Sequence, residues 1–420
     1  MDEVDKVLRE NQCGFRKGRG CTDQIFLMRQ LIEKKREFNE DMCICFIDFA
    51  QAYDSIWREG AWSILGKYGI KKKIVKLIEN LYSMVLACVR LNGEETEWFG
   101  IATGLRQGCI LSPILFNIVL DYILRRVEKS HGKWSPFKPE NCQDAEYADD
   151  TGLMAECLFR VMQLTEMLAE ESKKLGLRIN TSKTKIMPVT GKEGPWQKTE
   201  FEGKEIEVVR KFVYLGSELS ADGGSQNEIK RRIALAGATF NRMHKKLFKR
   251  HDITLKLKIR ILNACVIPVL VYGAETWSIT RTMEHKLIAA ENKWLRRILR
   301  VGYKEHITNE EIRRRTAQPF ITDVLRRRRM KWAGHVLRMD EGRPTKIAYN
   351  YKPEGKRRTG RPKQRWTDGF EQDLQQAGLS IHGQTVGRRR MTLSEMAQDR
   401  GIWRDVIRKS MTGYSLGMIT

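Results

Sequence analysis

The stretch Asp144-Ala145-Glu146-Tyr147-Ala148-Asp149-Asp150-Thr151-Gly152-Leu153-Met154-Ala155 reads as strand, tight turn, strand, with two adjacent carboxylates at the turn. Paired acids on a hairpin tip are what a two-metal phosphoryl-transfer site needs. Mg²⁺ is a hard, oxygen-seeking ion that takes one or two protein carboxylates and keeps several waters. Two such ions stabilise the attacking and leaving oxygens of an in-line displacement. Taken alone, an Asp-Asp pair is equally well a solvated turn.

A second acidic segment lies upstream. Met42-Cys43-Ile44-Cys45-Phe46-Ile47-Asp48-Phe49 is an almost continuous apolar run that ends around an acid. Such a run reads as a fully buried strand, and an acid within it is costly unless neutralised or metal-bound. The competing reading makes Asp48 the N-cap of a helix opening near Ala50-Gln51-Ala52-Tyr53-Asp54, since Asp is a favoured cap. Under the first reading Asp48, Asp149 and Asp150 form a three-carboxylate cluster.

Composition points to a polyanionic partner. The chain of 420 residues carries 76 Lys and Arg against 52 Asp and Glu, a net charge of +24. Lys and Arg neutralise phosphates and drive sequence-independent nucleic-acid binding, although a basic scaffold protein shares that signal. The 9 cysteines are scattered, with no Cys-x-x-Cys pair and no zinc spacing, which fits a reducing compartment. The start Met1-Asp2-Glu3-Val4-Asp5 lacks the features of a secretory signal. The longest apolar stretch, Ile261 to Tyr272, is interrupted by Asn263 and Pro268 and is too short to span a bilayer. An intracellular, nuclear or cytoplasmic protein is expected.

Up to about residue 220 strand-like and helix-like segments alternate. Ser112-Pro113 opens a helix that is apolar nearly all round, with Ser as cap and Pro in the first turn. From Glu228 the pattern turns helical, and Leu287, Ile288, Trp294, Leu295, Ile298 and Leu299 make one apolar core face. Residues 321–370 hold 15 Lys and Arg against 5 Asp and Glu. Two basic runs stand out, Arg326-Arg327-Arg328-Arg329 and the loop-like Lys356-Arg357-Arg358-Thr359-Gly360-Arg361-Pro362-Lys363-Gln364-Arg365-Trp366. Basic residues interleaved with Trp suit a phosphate backbone plus a stacked base; a solvated face or a nuclear-import patch is the alternative.

The motifs then become specific. Phe46-Ile47-Asp48-Phe49-Ala50-Gln51-Ala52-Tyr53-Asp54-Ser55 resembles motif A of reverse transcriptases from non-LTR (LINE-type) retrotransposons. Gly104-Leu105-Arg106-Gln107-Gly108-Cys109-Ile110-Leu111-Ser112-Pro113 is similar to motif B, and Tyr147 to Asp150 to motif C. Gly176-Leu177-Arg178-Ile179-Asn180 with Lys183-Thr184-Lys185 resembles motif D, and Phe212-Val213-Tyr214-Leu215-Gly216 resembles the primer-grip motif E. Asn11-Gln12-Cys13-Gly14-Phe15-Arg16 matches the stretch before motif A. Tyr272-Gly273-Ala274-Glu275-Thr276-Trp277 and Lys331-Trp332-Ala333-Gly334-His335 resemble the RTE-like branch.

The resemblance implies an α+β, right-hand polymerase fold. Fingers (partial) and palm would occupy residues 1–220, a helical thumb 221–300, and a basic, mostly helical nucleic-acid-binding region 301–420. It implies RNA-directed DNA polymerisation on an RNA template and DNA primer, with dNTPs and two Mg²⁺ ions. Asp48, Asp149 and Asp150 would hold the metals, and Lys183, or its neighbour Lys185, would neutralise the pyrophosphate. Phe49, Tyr53, Gln107 and Gly108 would meet the nucleotide, Tyr53 by colliding with a ribose 2′-hydroxyl. Tyr214, Leu215 and Gly216 would grip the primer. Arg326, Arg327, Arg328, Arg329, Arg357, Arg358, Arg361, Lys363 and Arg365 would bind nucleic acid. His306 and His335 lack metal-ligand partners at suitable spacing and read as structural. Family members carry more fingers strands and an endonuclease domain upstream, so the chain is expected to be the carboxy-terminal part of an element's polyprotein. An inactive remnant that only binds nucleic acid, and an RNA-making polymerase, are the rival readings; Tyr53 argues against the second.

Overall fold

The computed structural model describes residues 2–131, 143–190, 199–355, 357, 360, 362–380, 384–386 and 389–411. Contacts divide the chain into two compact units: residues 1–215 with 342–355, and residues 216–341 with 356–420.

The first unit is built on a six-stranded sheet. Its spatial order is Asp144–Tyr147, Asp150–Ala155, Met42–Ile47, Lys185–Val189, Lys204–Val208, Thr199–Phe201. Met42–Ile47 is buried along its whole length because it lies between two antiparallel neighbours, Cys45 opposite Leu153 on one side and Ile186 on the other. A strand covered on both faces must be apolar throughout, which is why its sequence shows no alternation. Cys43, Cys45 and Ile47 face a cluster shared with the Ser112–His131 and Leu158–Lys173 helices. Ser112–His131 contributes Leu115, Phe116, Ile118, Val119, Leu120, Ile123, Leu124 and Val127 to that core, so it is apolar on most of its circumference as expected.

The segment from Gly342 returns to this unit. Its Pro344–Asn350 helix packs on the Cys21–Phe38 helix. The Lys34 ammonium donates to the carbonyls of Ala348 (2.5 Å), Tyr349 (2.9 Å) and Tyr351 (2.5 Å), capping the carbonyl end of that helix.

The second unit is helical. Gln226–Met243, Arg281–Leu299, Asn309–Thr316 and Ile321–Leu337 share one apolar cluster that includes Phe240, Trp277, Trp294, Ile298, Ile312 and Leu325. That core runs continuously across residue 300, where a domain boundary was expected. A buried ion pair lies within it, Arg313 Nη2 to Glu291 Oε2 at 2.6 Å, with further Arg313 bonds to Asn292 Oδ1 and the Pro319 carbonyl. The last helices pack onto Ile321–Leu337. Trp403 donates its indole N–H to the Met330 carbonyl (2.9 Å) directly over Gly334.

Candidate active site

The Asp-Asp hairpin forms as the sequence suggests. Tyr147 pairs with Asp150, leaving Ala148 and Asp149 as a two-residue turn in which Ala148 holds φ +56°. The adjacent strand ends at Ile47, in register with Thr151, so Asp48 emerges beside the turn. Asp48 caps no helix: the next one, Ala52–Ser55, has Gln51 at its N-cap with no side-chain cap bond. The backbone around Asp48 is held instead by the 178–184 segment. Ala50 N–H donates to the Arg178 carbonyl (2.8 Å) and Asn180 N–H to the Asp48 carbonyl (2.7 Å).

The three carboxylates share one field. Burial pushes the Asp149 carboxyl up, with Asp48 adding repulsion. Asp150 is pushed up to about 6 by burial and by Asp149 and Asp48. Asp48 Oδ2 is buried and accepts no hydrogen bond. Its nearest cation is the exposed Lys183 ammonium, 3.6 Å away. Lys185, the alternative to Lys183, turns aside to Glu207 (2.9 Å) and the Ser182 carbonyl (2.7 Å). Among the described residues no three acidic, cysteine or histidine side chains stand close enough to form a ready-made metal cage. Even so, the mutually repelling carboxylates and the buried Asp48 oxygen without a hydrogen bond fit a divalent cation, which would relieve that repulsion and satisfy that oxygen.

The motif B loop is locked onto the helix that follows Asp48. Leu105 N–H donates to the Tyr53 carbonyl (2.6 Å) and Gly104 N–H to the Ile56 carbonyl (2.8 Å). Gly104 has φ +79°, and a Cβ there would strike the Asp54 backbone. Arg58, itself buried, donates to the carbonyls of Gly104, Tyr82, Ile101 and Thr103. Gln107 Nε2 bridges both Asp54 oxygens at 3.0 and 3.1 Å, and Gly108 is left-handed with open space beside it. Tyr53 stacks on Phe116 (centroids 4.7 Å apart), and its buried hydroxyl has no hydrogen-bond partner. Burial and Asp149 push that phenol up to about 12, so it stays protonated.

Several expected residues lie elsewhere. Phe49 is 5% exposed and belongs to the apolar core, its side chain on the opposite face from Asp48. Tyr214 is 2% exposed and donates its hydroxyl to the Ala145 carbonyl (3.1 Å), so it buttresses the hairpin. Val213 and Gly216 are the exposed residues of that motif and Leu215 is half-buried; Leu215 and Gly216 are both left-handed.

The C-terminal arginines are mostly committed to ion pairs. Arg329 pairs with Asp373 at 2.6 Å, Arg326 with Asp323 at 2.7 Å, and Arg328 with Glu275 at 2.8 Å. Lys363 binds Asp222 (2.7 Å), Arg365 binds Asp368 (2.9 Å), and Arg357 donates to the Lys363 carbonyl (3.3 Å). Arg327 is half-exposed, and Arg358 and Arg361 lie outside the described residues. The freer cations are Arg242, Lys245, Lys246, Lys249, Lys256 and Arg260, all exposed. The visible signal for them is the density of Lys and Arg from 242 to 260, with Asp252 as the lone acid.

The reverse transcriptase (RNA-dependent DNA polymerase) family matches residues 1–219, which takes in every motif from Gln12 to Gly216. The chain belongs to the reverse transcriptase family. The expected mixed helix-and-sheet fold of that family is borne out, as is the resemblance to non-LTR retrotransposon enzymes. An uncharacterized transposon-derived protein of Caenorhabditis elegans is 25% identical over 65% of this chain and 97% of its own length. The RNA-directed DNA polymerase from the mobile element jockey of Drosophila melanogaster is 23% identical over 77% of this chain. The match covers only 35% of that polymerase. A solved telomerase from Candida albicans, in complex with a telomeric RNA fragment, aligns over 69% of this chain and 52% of its own, with TM-score 0.40 and 11% identity. Among the described residues no helix is long and apolar enough to cross a membrane.

Proposed function

We propose that this chain carries the polymerase centre of a non-LTR retrotransposon and extends a DNA primer 3′-hydroxyl on an RNA template with dNTPs. The observation that carries the reading is the gathering of Asp48, Asp149 and Asp150 at one end of adjacent strands, with an orphaned buried oxygen on Asp48. Two Mg²⁺ ions held by these carboxylates would acidify the primer hydroxyl and stabilise the leaving pyrophosphate. The residues around them position and neutralise, which is most of what nucleotidyl transfer requires. Lys183, exposed beside Asp48, offers a positive charge and a proton to the departing pyrophosphate. Gln107, oriented by Asp54, presents its amide to the incoming nucleotide. Tyr53, rigid against Phe116, occupies the space a ribose 2′-hydroxyl would need. Leu215 and Gly216 offer backbone to the primer end, and the 242–260 cations grip phosphates. The eight described cysteines are all unpaired, which supports a reducing, nuclear or cytoplasmic setting.

Primer extension on an RNA template with Mg²⁺ tests the reading, beside an Asp149→Ala control. Extension that survives Asp149→Ala would remove the carboxylate site from the mechanism.

A further inference from the structure

The segment before motif A lies against the catalytic hairpin, and one side chain makes the connection. Gln12 is fully buried. Its Oε1 accepts from two backbone groups, Gly14 N–H at 2.7 Å and Ala148 N–H at 3.0 Å. Ala148 is the turn residue immediately before Asp149, and it holds φ +56°, a conformation an L side chain adopts only when its surroundings impose it. The backbone of Gln12 is fixed in turn. It bridges Glu146 in parallel register, Cys13 N–H donates to the Glu146 carbonyl (2.9 Å), and the buried Arg16 donates to the Gln12 carbonyl (3.0 Å). Gly14 completes the fit, because a Cβ there would collide with the Ala148 nitrogen.

A strand-to-strand turn normally leaves its N–H groups to solvent or to the opposite strand. Here one of the two is withdrawn into the protein and tied to a glutamine from a separate segment, which is itself anchored on Glu146 of the hairpin's first strand and donates its amide to the Glu146 carboxylate at 3.4 Å. Fixing the Ala148 N–H fixes the peptide plane that leads into Asp149, and so the direction in which that carboxylate leaves the turn. An amide oxygen suits this task. It accepts two bonds without adding charge beside Glu146, whose carboxyl burial already pushes up, with Asp144 and Asp121 adding to the push against Arg9.

We infer that Gln12 is a positioning residue for the catalytic hairpin: through Ala148 it sets where Asp149 stands relative to Asp48. The inference rests on the polymerase reading for its consequence, though the hydrogen bond it invokes can be tested without that reading. Gln12→Met keeps the side chain's length and removes the acceptor. Leu124→Ala opens a cavity elsewhere in the same unit and serves as the structural control, since Leu124 is fully buried in the Ser112–His131 helix.

Two measurements are made on the full chain. Hydrogen exchange is followed in the peptide covering residues 145–151, and Mn²⁺ affinity is followed by paramagnetic resonance. In Gln12→Met the peptide should exchange at least about ten-fold faster, as a local opening. Mn²⁺ affinity should fall about ten-fold, the scale on which groups behind metal ligands act. Leu124→Ala should lower thermal stability and change neither. Gln12→Asn, which withdraws the acceptor by one methylene, is read the same way should Gln12→Met fail to fold. Exchange and affinity that move no more in the Gln12 variants than in Leu124→Ala would overturn the positioning role and leave Gln12 a packing residue. A wild-type chain that binds no Mn²⁺ overturns the metal reading instead, and the exchange measurement then decides Gln12 alone.

Discussion

Gly334→Ala probes whether the basic C-terminal region is a packed part of its unit or a loose arm. The new methyl would sit 2.5 Å from Trp403 Cδ1 and 2.7 Å from Cε2, closer still to the indole nitrogen. The indole cannot retreat freely, being 3% exposed and tied by its N–H to the Met330 carbonyl at 2.9 Å. Overpacking of this kind costs about 1–3 kcal/mol. If the indole moves, its buried N–H loses its partner, a further ~1–3 kcal/mol. Part of each cost is an alternative to the other, so the expected loss is roughly 2–4 kcal/mol. For a unit of this size each kcal/mol lowers the midpoint by about 2–4 °C, which gives a drop of order 4–16 °C. The assay is scanning calorimetry, with tryptophan fluorescence to follow Trp403. Trp403→Phe in the Gly334→Ala background should recover part of the loss, since the smaller ring makes room. A midpoint within about 1 °C of wild type would refute the close contact and the packed-tail reading with it.

Three other outcomes follow from the same geometry. Replacing Lys245, Lys246 and Lys249 with Gln should flatten the salt dependence of primer–template binding, by about 0.9 in log–log slope for each duplex phosphate released. The same change at Arg329 should cost stability and leave the slope alone, because that guanidinium is paired with Asp373; an unchanged slope in the triple variant would move the phosphate surface elsewhere. Tyr53→Val should raise ribonucleotide incorporation relative to deoxyribonucleotide, since it removes the ring stacked on Phe116; unchanged discrimination in steady-state incorporation would deny Tyr53 the gate. Asp150, held near 6 against an ordinary value of 3.8, binds its proton more tightly folded than unfolded, so its charge opposes folding above about pH 6 and not below the ordinary value. Asp150→Asn in EDTA should therefore raise the thermal midpoint near pH 8 and leave it nearly unchanged near pH 4; equal shifts at both would show that the acids do not repel.

What the sequence disclosed and what it hid divide along a physical line. The hairpin, the buried strand ahead of Asp48 and the helix opened by Ser112-Pro113 are local patterns: alternation, an unbroken apolar run, a cap followed by proline. Each formed where it was read. The side chains whose surroundings stayed hidden were those whose fate depends on distant partners. Tyr214 looks like a surface aromatic at a primer until Ala145 is seen above its hydroxyl. Phe49 adjoins Asp48, yet the pleat turns it to the other face, a consequence of period two that alternation alone contained. The Arg326–Arg329 run is the plainest case. A block of like charge in sequence suggests a block of like charge in space, but a helix sends successive residues in different directions. Asp323, Glu275 and Asp373 then meet three of the four. Two of those acids come from well outside the helix, and no count of charges along the chain reveals them. The less conspicuous Arg242, Lys245, Lys246, Lys249, Lys256 and Arg260 stay exposed, while between 242 and 260 Lys258 is buried and Arg250 pairs with Asp252, the one acid of that stretch. A phosphate surface is therefore marked less by how many positive charges a segment carries than by how few of them the fold has already neutralised.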